Sequence, residues 1–170
     1  MSGTEPLAAD AGRVVLGIGG LAVRRAAAGS LVTHALGSCL GIVVHDTYSQ
    51  VGGMLHAQLP LAQLSPDRAK DSPSLFVDLG LTLLFKAVIA LGADKRKLRV
   101  VVAGGANMTG TITDQFDIAN RNLTVMRKIF WQQGILVAGE DVGGGIPRTM
   151  TFDFATGSTQ IESQGKRHTL

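Results

Sequence analysis

Hydrophobic and polar residues alternate along several short segments of the chain, with the period of two that is typical of strands with one buried face. In one segment, apolar residues alternate with a second set of residues. The apolar residues are Leu40, Ile42 and Val44, and the alternating ones are Cys39, Gly41, Val43 and His45. Glycine-rich and polar turns separate these segments. The pattern predicts strands at residues 13–17, 31–35, 40–45, 53–59, 98–103, 135–140 and 148–153.

Residues 75–91 form the most apolar stretch of the chain and predict the first of two main helices. Asp78 and Lys86 interrupt this stretch, Ser72-Pro73 resembles a helix start, and Gly92 provides a stop signal. We therefore expect a packed helix rather than a membrane span.

A second helix is predicted to follow Asn120 and to end near Gly134. Strands in mixed order with two main helices indicate an α+β layered fold with a single domain. The residues at helical spacing that predict its buried stripe are Leu123, Met126, Ile129 and Phe130.

A turn-forming stretch separates the predicted strands 40–45 and 53–59, which predicts that they form a hairpin. Burying both apolar faces on one side of a hairpin fixes its register parity, which places Cys39 and His56 together on the opposite face. With the turn centred near Tyr48 and Ser49, His56 becomes the diagonal neighbour of Cys39 across Gly41, at roughly 7 Å. We expect this shared face to be exposed.

Cys39 is the only cysteine of the chain, so it is either a packed residue or a nucleophile that needs a base. Taken singly, Cys39 and His56 are more often core residues, and only their pairing favours catalysis. Because His56 should stabilise the thiolate, we expect alkylation of Cys39 to stay fast below the ordinary cysteine pKa of about 8.5 and to slow in His56→Ala. The turn at Gly37 and Ser38 either offers backbone amides to an oxyanion or is an ordinary turn.

Several short motifs, in the right order, resemble the signature of the CheD family of chemoreceptor glutamine deamidases over residues 13–162. The combination is more specific than any single motif. The matching residues are Thr33, Leu36-Gly37-Ser38-Cys39, Asp46, Gly52-Gly53-Met54-Leu55-His56, Leu59-Pro60, Val15, Gly17, Gly19, Gly104-Gly105-Ala106, Arg121-Asn122, Asp141, Gly143-Gly144 and Arg148.

The resemblance implies a three-layer α/β/β sandwich with mixed sheets. It also implies a catalytic set of Cys39, His56 and Thr33 that acts through a thioester without a metal or an organic cofactor. The implied substrates are glutamines on the cytoplasmic helices of chemotaxis receptors, and glutamyl methyl esters are a second implied substrate. Some members of the family bind a CheC-type phosphatase, so a non-catalytic adaptor that regulates a phosphatase or receptor is the alternative.

The chain has 170 residues and 45% hydrophobic content, enough for one domain with a substantial core. We expect a flexible N-terminus at residues 1–12, a domain at 13–162 and a flexible tail at 163–170. A lone cysteine and the lack of a signal-like start predict a cytoplasmic protein. The net charge of +3 is weak, and no aromatic-interleaved basic patch indicates nucleic-acid binding.

Two other binding sites are disfavoured. The residues from Gly17 to Ala22 loosely fit a dinucleotide-binding fingerprint, but the acidic residue and the βαβ unit that this site requires are missing. Zinc is disfavoured because the histidines are scattered and offer no close ligand spacing. These histidines are His34, His45, His56 and His168.

Overall fold

The computed structural model describes residues 12–110 and 117–170. Two five-stranded sheets stack face to face, and helices cover the outer face of one of them, which gives three layers in a single domain. The predicted α+β fold, with an α/β/β order of layers, is confirmed. We call the sheet between the other two layers the central sheet and its neighbour the outer sheet.

The central sheet has the strand order β2-β5-β4-β6-β7 and mixed pairing. β4 and β5 form the predicted hairpin, β6 pairs antiparallel with β4, and β7 runs parallel to β6. The strands are β2 (Leu21–Arg25), β4 (Leu40–Asp46), β5 (Val51–Ala57), β6 (Arg99–Gly104) and β7 (Val137–Val142).

The outer sheet has the strand order β1-β3-β8-β9-β10. β1 and β3 are parallel to each other, and the other pairs are antiparallel. The strands are β1 (Arg13–Leu16), β3 (Ser30–Leu36), β8 (Arg148–Asp153), β9 (Thr159–Ser163) and β10 (Lys166–Thr169).

The described residues form three α-helices: α1 (Pro66–Asp71), α2 (Val77–Ala90) and α3 (Ile118–Gln133). The two longer helices, α2 and α3, match the two predicted ones, although Ser72-Pro73 opens a short 3-10 turn before α2 rather than α2 itself. α3 ends at Gly134, which adopts the left-handed conformation at φ 65°. None of the described helices is long and apolar enough to cross a membrane.

Every residue of β4 and β5 is buried, because each strand is covered on both faces. Leu40, Ile42 and Leu55 pack under α2 and α3, whereas Val43 and Met54 pack against the outer sheet. The hairpin face opposite the predicted apolar face is therefore not exposed, contrary to our expectation. Sequence alternation identified the two faces but gave no sign that a second sheet covers the more polar one.

The structure contains three strands that the sequence pattern did not predict, namely β2, β9 and β10. β10 lies at the sheet edge with all four residues exposed, so it has no apolar periodicity to detect. It occupies part of the segment predicted as a flexible tail, and His168 Nε2 lies 3.2 Å from Asp141 Oδ2. The predicted N-terminal segment 1–12 lies outside the described residues except for Gly12, so the boundaries of the domain stay a prediction.

Candidate functional site

The register of the β4–β5 hairpin is the predicted one. Gly41 pairs with His56 and Leu40 pairs with Ala57. Cys39 directly precedes β4 and belongs to the apolar cluster between the two sheets. Cys39 and His56 are thus diagonal neighbours on one face, a relation of about 7–8 Å between Cα atoms, with the side-chain-free Gly41 beside them.

Thr33 reaches the same space from the outer sheet. It lies on β3, next to Leu16 of β1, and is fully buried. Beyond Thr33 the register shifts at Ala35, which has a positive φ of 57°, and the chain then crosses to the central sheet through residues 37–39. This crossing, which we call the cysteine loop, puts Thr33 and Cys39 on facing sheets.

The Thr33 hydroxyl connects to both Leu16 and His56. Its Oγ1 donates to the carbonyl oxygen of Leu16 at 2.9 Å and lies 2.7 Å from Nδ1 of His56. A threonine hydroxyl has one proton, so toward His56 it accepts, and Nδ1 carries the ring proton. The neutral ring then has its lone pair on Nε2, which is the atom that a general base needs.

Nε2 of His56 is buried and has no hydrogen-bond partner among the described residues. Burial lowers the pKa of His56 below its ordinary value of 6.5, since the charged imidazolium is poorly solvated there. At neutral pH the ring is therefore uncharged and its Nε2 is available to accept a proton.

The thiol of Cys39 is 7% exposed. Burial is the larger influence and raises its pKa above the ordinary value, while a hydrogen bond from its own backbone amide acts in the opposite direction. The direction is opposite to the thiolate stabilisation that we expected from the sequence. At rest, the thiol of Cys39 and the imidazole of His56 are therefore both neutral.

The segment Gly104-Gly105-Ala106 at the end of β6, which we call the glycine motif, holds the cysteine loop in place. Gly105 N donates to Cys39 O at 2.9 Å, and Ala106 N donates to Gly37 O at 2.8 Å. Gly104 has a positive φ of 108°, and a Cβ built there would collide with the backbone carbonyl oxygen of Cys39. Only glycine permits this close approach of the two chains.

Arg148 on β8 ties a second turn to this motif. Its guanidinium donates to Asp141 Oδ1 at 2.9 Å and to the carbonyl oxygen of Gly143 at 2.9 Å. The Gly143 amide donates in turn to the carbonyl oxygen of Gly104 at 2.9 Å. Arg148 and Gly143, which also belong to the resembling signature, thus hold Gly104, and Gly104 in turn lies against the cysteine loop.

The sequence suggested the backbone amides of Gly37 and Ser38 as oxyanion donors, and the two differ in whether they already donate a hydrogen bond. Gly37 N donates to the carbonyl oxygen of Ala35 at 2.9 Å, so it is already occupied. In the turns and loops that the structure describes, the backbone amides of Ser38 and Cys39 donate to no backbone carbonyl, and the Cys39 amide contacts its own sulfur. These two amides are the better candidates for an oxyanion site.

Asn122 on α3 is a part of the site that reasoning from residue chemistry missed. It is fully buried, and its Nδ2 donates to the carbonyl oxygens of Ser38 at 3.0 Å and Gln58 at 2.9 Å. Asn122 belongs to the Arg121-Asn122 pair of the resembling signature, but its chemistry gave only one signal, an amide residue one position before Leu123 in a buried helical stripe. That signal is weak, because its two acceptors are backbone atoms.

The other histidines lie apart from Cys39 and His56. His45 is at the far end of β4 beside Phe152, while His34 and His168 are exposed. In the part of the chain that the structure describes, no three His, Cys, Asp or Glu side chains are grouped in a way that would hold a metal ion.

Comparison with known proteins gives a consistent family match. The family model described as "CheD chemotactic sensory transduction" matches residues 58–163, which follow Cys39 and His56. The "Probable chemoreceptor glutamine deamidase CheD 1" of Syntrophus aciditrophicus is 40% identical over 154 residues, covering 91% of this chain and 96% of that protein. The "Probable chemoreceptor glutamine deamidase CheD" of Solibacter usitatus is 38% identical, covering 93% of each chain.

A third relative, the "Probable chemoreceptor glutamine deamidase CheD 2" of Anaeromyxobacter dehalogenans, is 42% identical and covers 88% of this chain and 94% of that protein. These alignments extend over nearly the full chain. Together with the family model, they show that this chain belongs to the CheD family.

Proposed function

We propose that this protein is a cytoplasmic glutamine deamidase that converts glutamines on the cytoplasmic helices of chemoreceptors to glutamate. The relatives' names give the reaction and the substrate class. The observation that carries the proposal for this chain is the Thr33–His56 hydrogen bond, because it leaves Nε2 of His56 unprotonated on the face shared with Cys39.

In the first half of the reaction, Nε2 of His56 takes the thiol proton as the sulfur attacks the carboxamide carbon of the glutamine. The carbonyl oxygen becomes an oxyanion, which the amides of Ser38 and Cys39 are placed to stabilise. Collapse of this intermediate breaks the C–N bond, and the imidazolium returns its proton to the departing ammonia. The product is a thioester between Cys39 and the receptor side chain.

In the second half, His56 takes a proton from water, whose oxygen attacks the thioester carbon. The C–S bond then breaks, the sulfur regains a proton, and glutamate is released. A glutamyl methyl ester follows the same route with methanol as the leaving group. No step needs a metal or an organic cofactor, and the receptor gains one negative charge for each glutamine converted.

The test is incubation with a receptor cytoplasmic fragment, followed by mass spectrometry for the mass increase of deamidation. Wild type should convert glutamine, whereas Cys39→Ala and His56→Ala should not. His34→Ala is the matched control, because His34 is an exposed histidine elsewhere in the molecule, and it should remain active. Glutamine conversion by Cys39→Ala at the wild-type rate would disprove the proposed nucleophile.

The same assay separates the alternatives. Receptor fragments carrying glutamyl methyl esters report esterase activity as methanol release. If wild type converts neither substrate but binds a purified CheC-type phosphatase, the adaptor role replaces the proposed one.

A further inference from the structure

The Asn122 side chain spans two backbone segments of the proposed active site. Its amide nitrogen donates to the carbonyl of Ser38, the residue before the nucleophile, and to the carbonyl of Gln58, two residues after the base. The orientation of the amide is unambiguous, because a carbonyl oxygen at the same place would face two other carbonyl oxygens. Asn122 therefore joins the cysteine loop to the end of β5.

The bond to Ser38 fixes more than one atom. A trans peptide unit is planar, and its C=O and N–H groups point in opposite directions. No described peptide bond is cis. Because the Ser38 carbonyl points to Asn122 on α3, the amide of Cys39 points away from the helices and toward the space between the two sheets.

We propose that Asn122 is a positioning residue that holds the Ser38–Cys39 peptide in the orientation in which the Cys39 amide stabilises the oxyanion. The inference rests on the proposed deamidation, since only a reaction through a tetrahedral oxyanion uses this amide. Without Asn122 the peptide is free to rotate, and its carbonyl can turn toward the place where the negative charge develops.

Burial of Asn122 supports a role beyond packing. The side chain is fully buried, and its Oδ1 has no hydrogen-bond partner among the described residues. An unpaired buried acceptor is unfavourable, and an apolar residue such as leucine would avoid that cost. The two hydrogen bonds that Asn122 donates hold both carbonyls in place, which a leucine could not do.

Two reactions of the same thiol provide the test. Alkylation by iodoacetamide needs the thiol and its base but forms no oxyanion. Deamidation needs the thiol, the base and the amide that stabilises the oxyanion. In Asn122→Ala, kcat for deamidation should fall about 10- to 100-fold, part of the loss seen when an oxyanion donor is removed outright. KM and the alkylation rate of Cys39 should stay within about twofold of wild type, as expected if only transition-state binding is weakened.

The matched control is Asn120→Ala, which changes an exposed asparagine on the same helix and should leave both rates unchanged. Asn122→Ser, whose hydroxyl donates to one carbonyl only, should recover part of the lost kcat. Thermal unfolding of each variant checks that it is folded during the assays.

Equal losses of deamidation and alkylation would overturn the inference, since they would indicate general damage to the site. Full deamidase activity in Asn122→Ala would overturn it while leaving the proposed function intact. If neither Asn122 variant folds, Asn122 is a folding residue and the inference is wrong. A wild-type protein without deamidase activity would remove the proposed function and this inference together.

Discussion

The hydroxyl of Thr33 accepts a hydrogen bond from Nδ1 of His56 at 2.7 Å and donates its own proton to the carbonyl oxygen of Leu16. The carbonyl oxygen of Leu16 is essential to this arrangement, because it accepts the only proton of the Thr33 hydroxyl. Toward His56 the hydroxyl can then only accept. The bond to Thr33 fixes the tautomer and the orientation of the imidazole, so in the proposed site this threonine takes the role that a carboxylate has in other triads.

Loss of the Thr33 hydroxyl should impair catalysis more than folding. Thr33→Val keeps the shape of the side chain but leaves the Nδ1 proton of His56 without an acceptor, at a cost of about 1–3 kcal/mol in the free energy of unfolding. We expect deamidation kcat to fall about 10- to 100-fold, less than when a triad carboxylate is neutralised. Thr33→Ser should restore most of the activity, and a Val variant with wild-type kcat would exclude this role.

Alkylation of Cys39 should show a raised thiol pKa. Burial disfavours the thiolate, so the midpoint of the iodoacetamide rate against pH should lie above that of the same protein unfolded in urea. Because His56 supplies the base, His56→Ala should also slow alkylation at pH 7.5. A native midpoint below that of the unfolded chain would mean that the thiolate is stabilised after all.

Acid should destabilise the protein through its buried histidines. Burial, reinforced by the charge of Arg99 and opposed by Asp46, lowers the pKa of His45 to about 4. Between pH 6.5 and 4 the unfolded chain therefore takes up a proton that the folded chain does not. The free energy of unfolding should fall in this window by on the order of 1.36 kcal/mol per pH unit for His45, with His56 acting in the same direction.

Urea unfolding at several pH values measures this slope. His45→Gln should flatten it, whereas His34→Gln, at an exposed position, should leave it as in wild type. An unchanged slope in His45→Gln would show that His45 is not the group responsible.

Gly104 should tolerate no side chain. Its φ of 108° is unfavourable for any other residue, and a Cβ would displace the backbone carbonyl of Cys39. We expect Gly104→Ala to lose roughly 1–3 kcal/mol in the free energy of unfolding and to reduce deamidation further, because the nucleophile moves. Gly17→Ala is the control, since nothing lies within 4 Å of its added Cβ. Equal stability of the two variants would contradict this explanation.

The sequence predicted the parts of the site that depend on local periodicity. Alternation in two adjacent strands determined the hairpin register, and the register determined that Cys39 and His56 share a face. Helical spacing likewise located α2 and α3. The edge strand β10 and its neighbour β9 escaped prediction because solvent covers both faces of β10 and one face of β9, which leaves little apolar signal.

The role of Thr33 came from family resemblance, because its partner His56 lies on another sheet. Asn122 escaped chemical reasoning for a related reason, since its acceptors are backbone carbonyls that no side-chain motif reveals. The expected stabilisation of the Cys39 thiolate was wrong, because the face that carries Cys39 is buried rather than exposed, and burial raises the pKa of the thiol.

By itself, the sequence determined seven of the ten described strands, the two longer helices, and which side chains lie on the same face of one hairpin, because these follow from short-range spacing along the chain. Tertiary structure alone decided that a second sheet covers that face. Stacking of the two sheets brings Thr33 to His56 and removes water from the thiol and the imidazole. Such contacts join residues from separate sheets. Alternation within a strand indicates only whether a face is apolar or polar, so it cannot predict which element packs against that face.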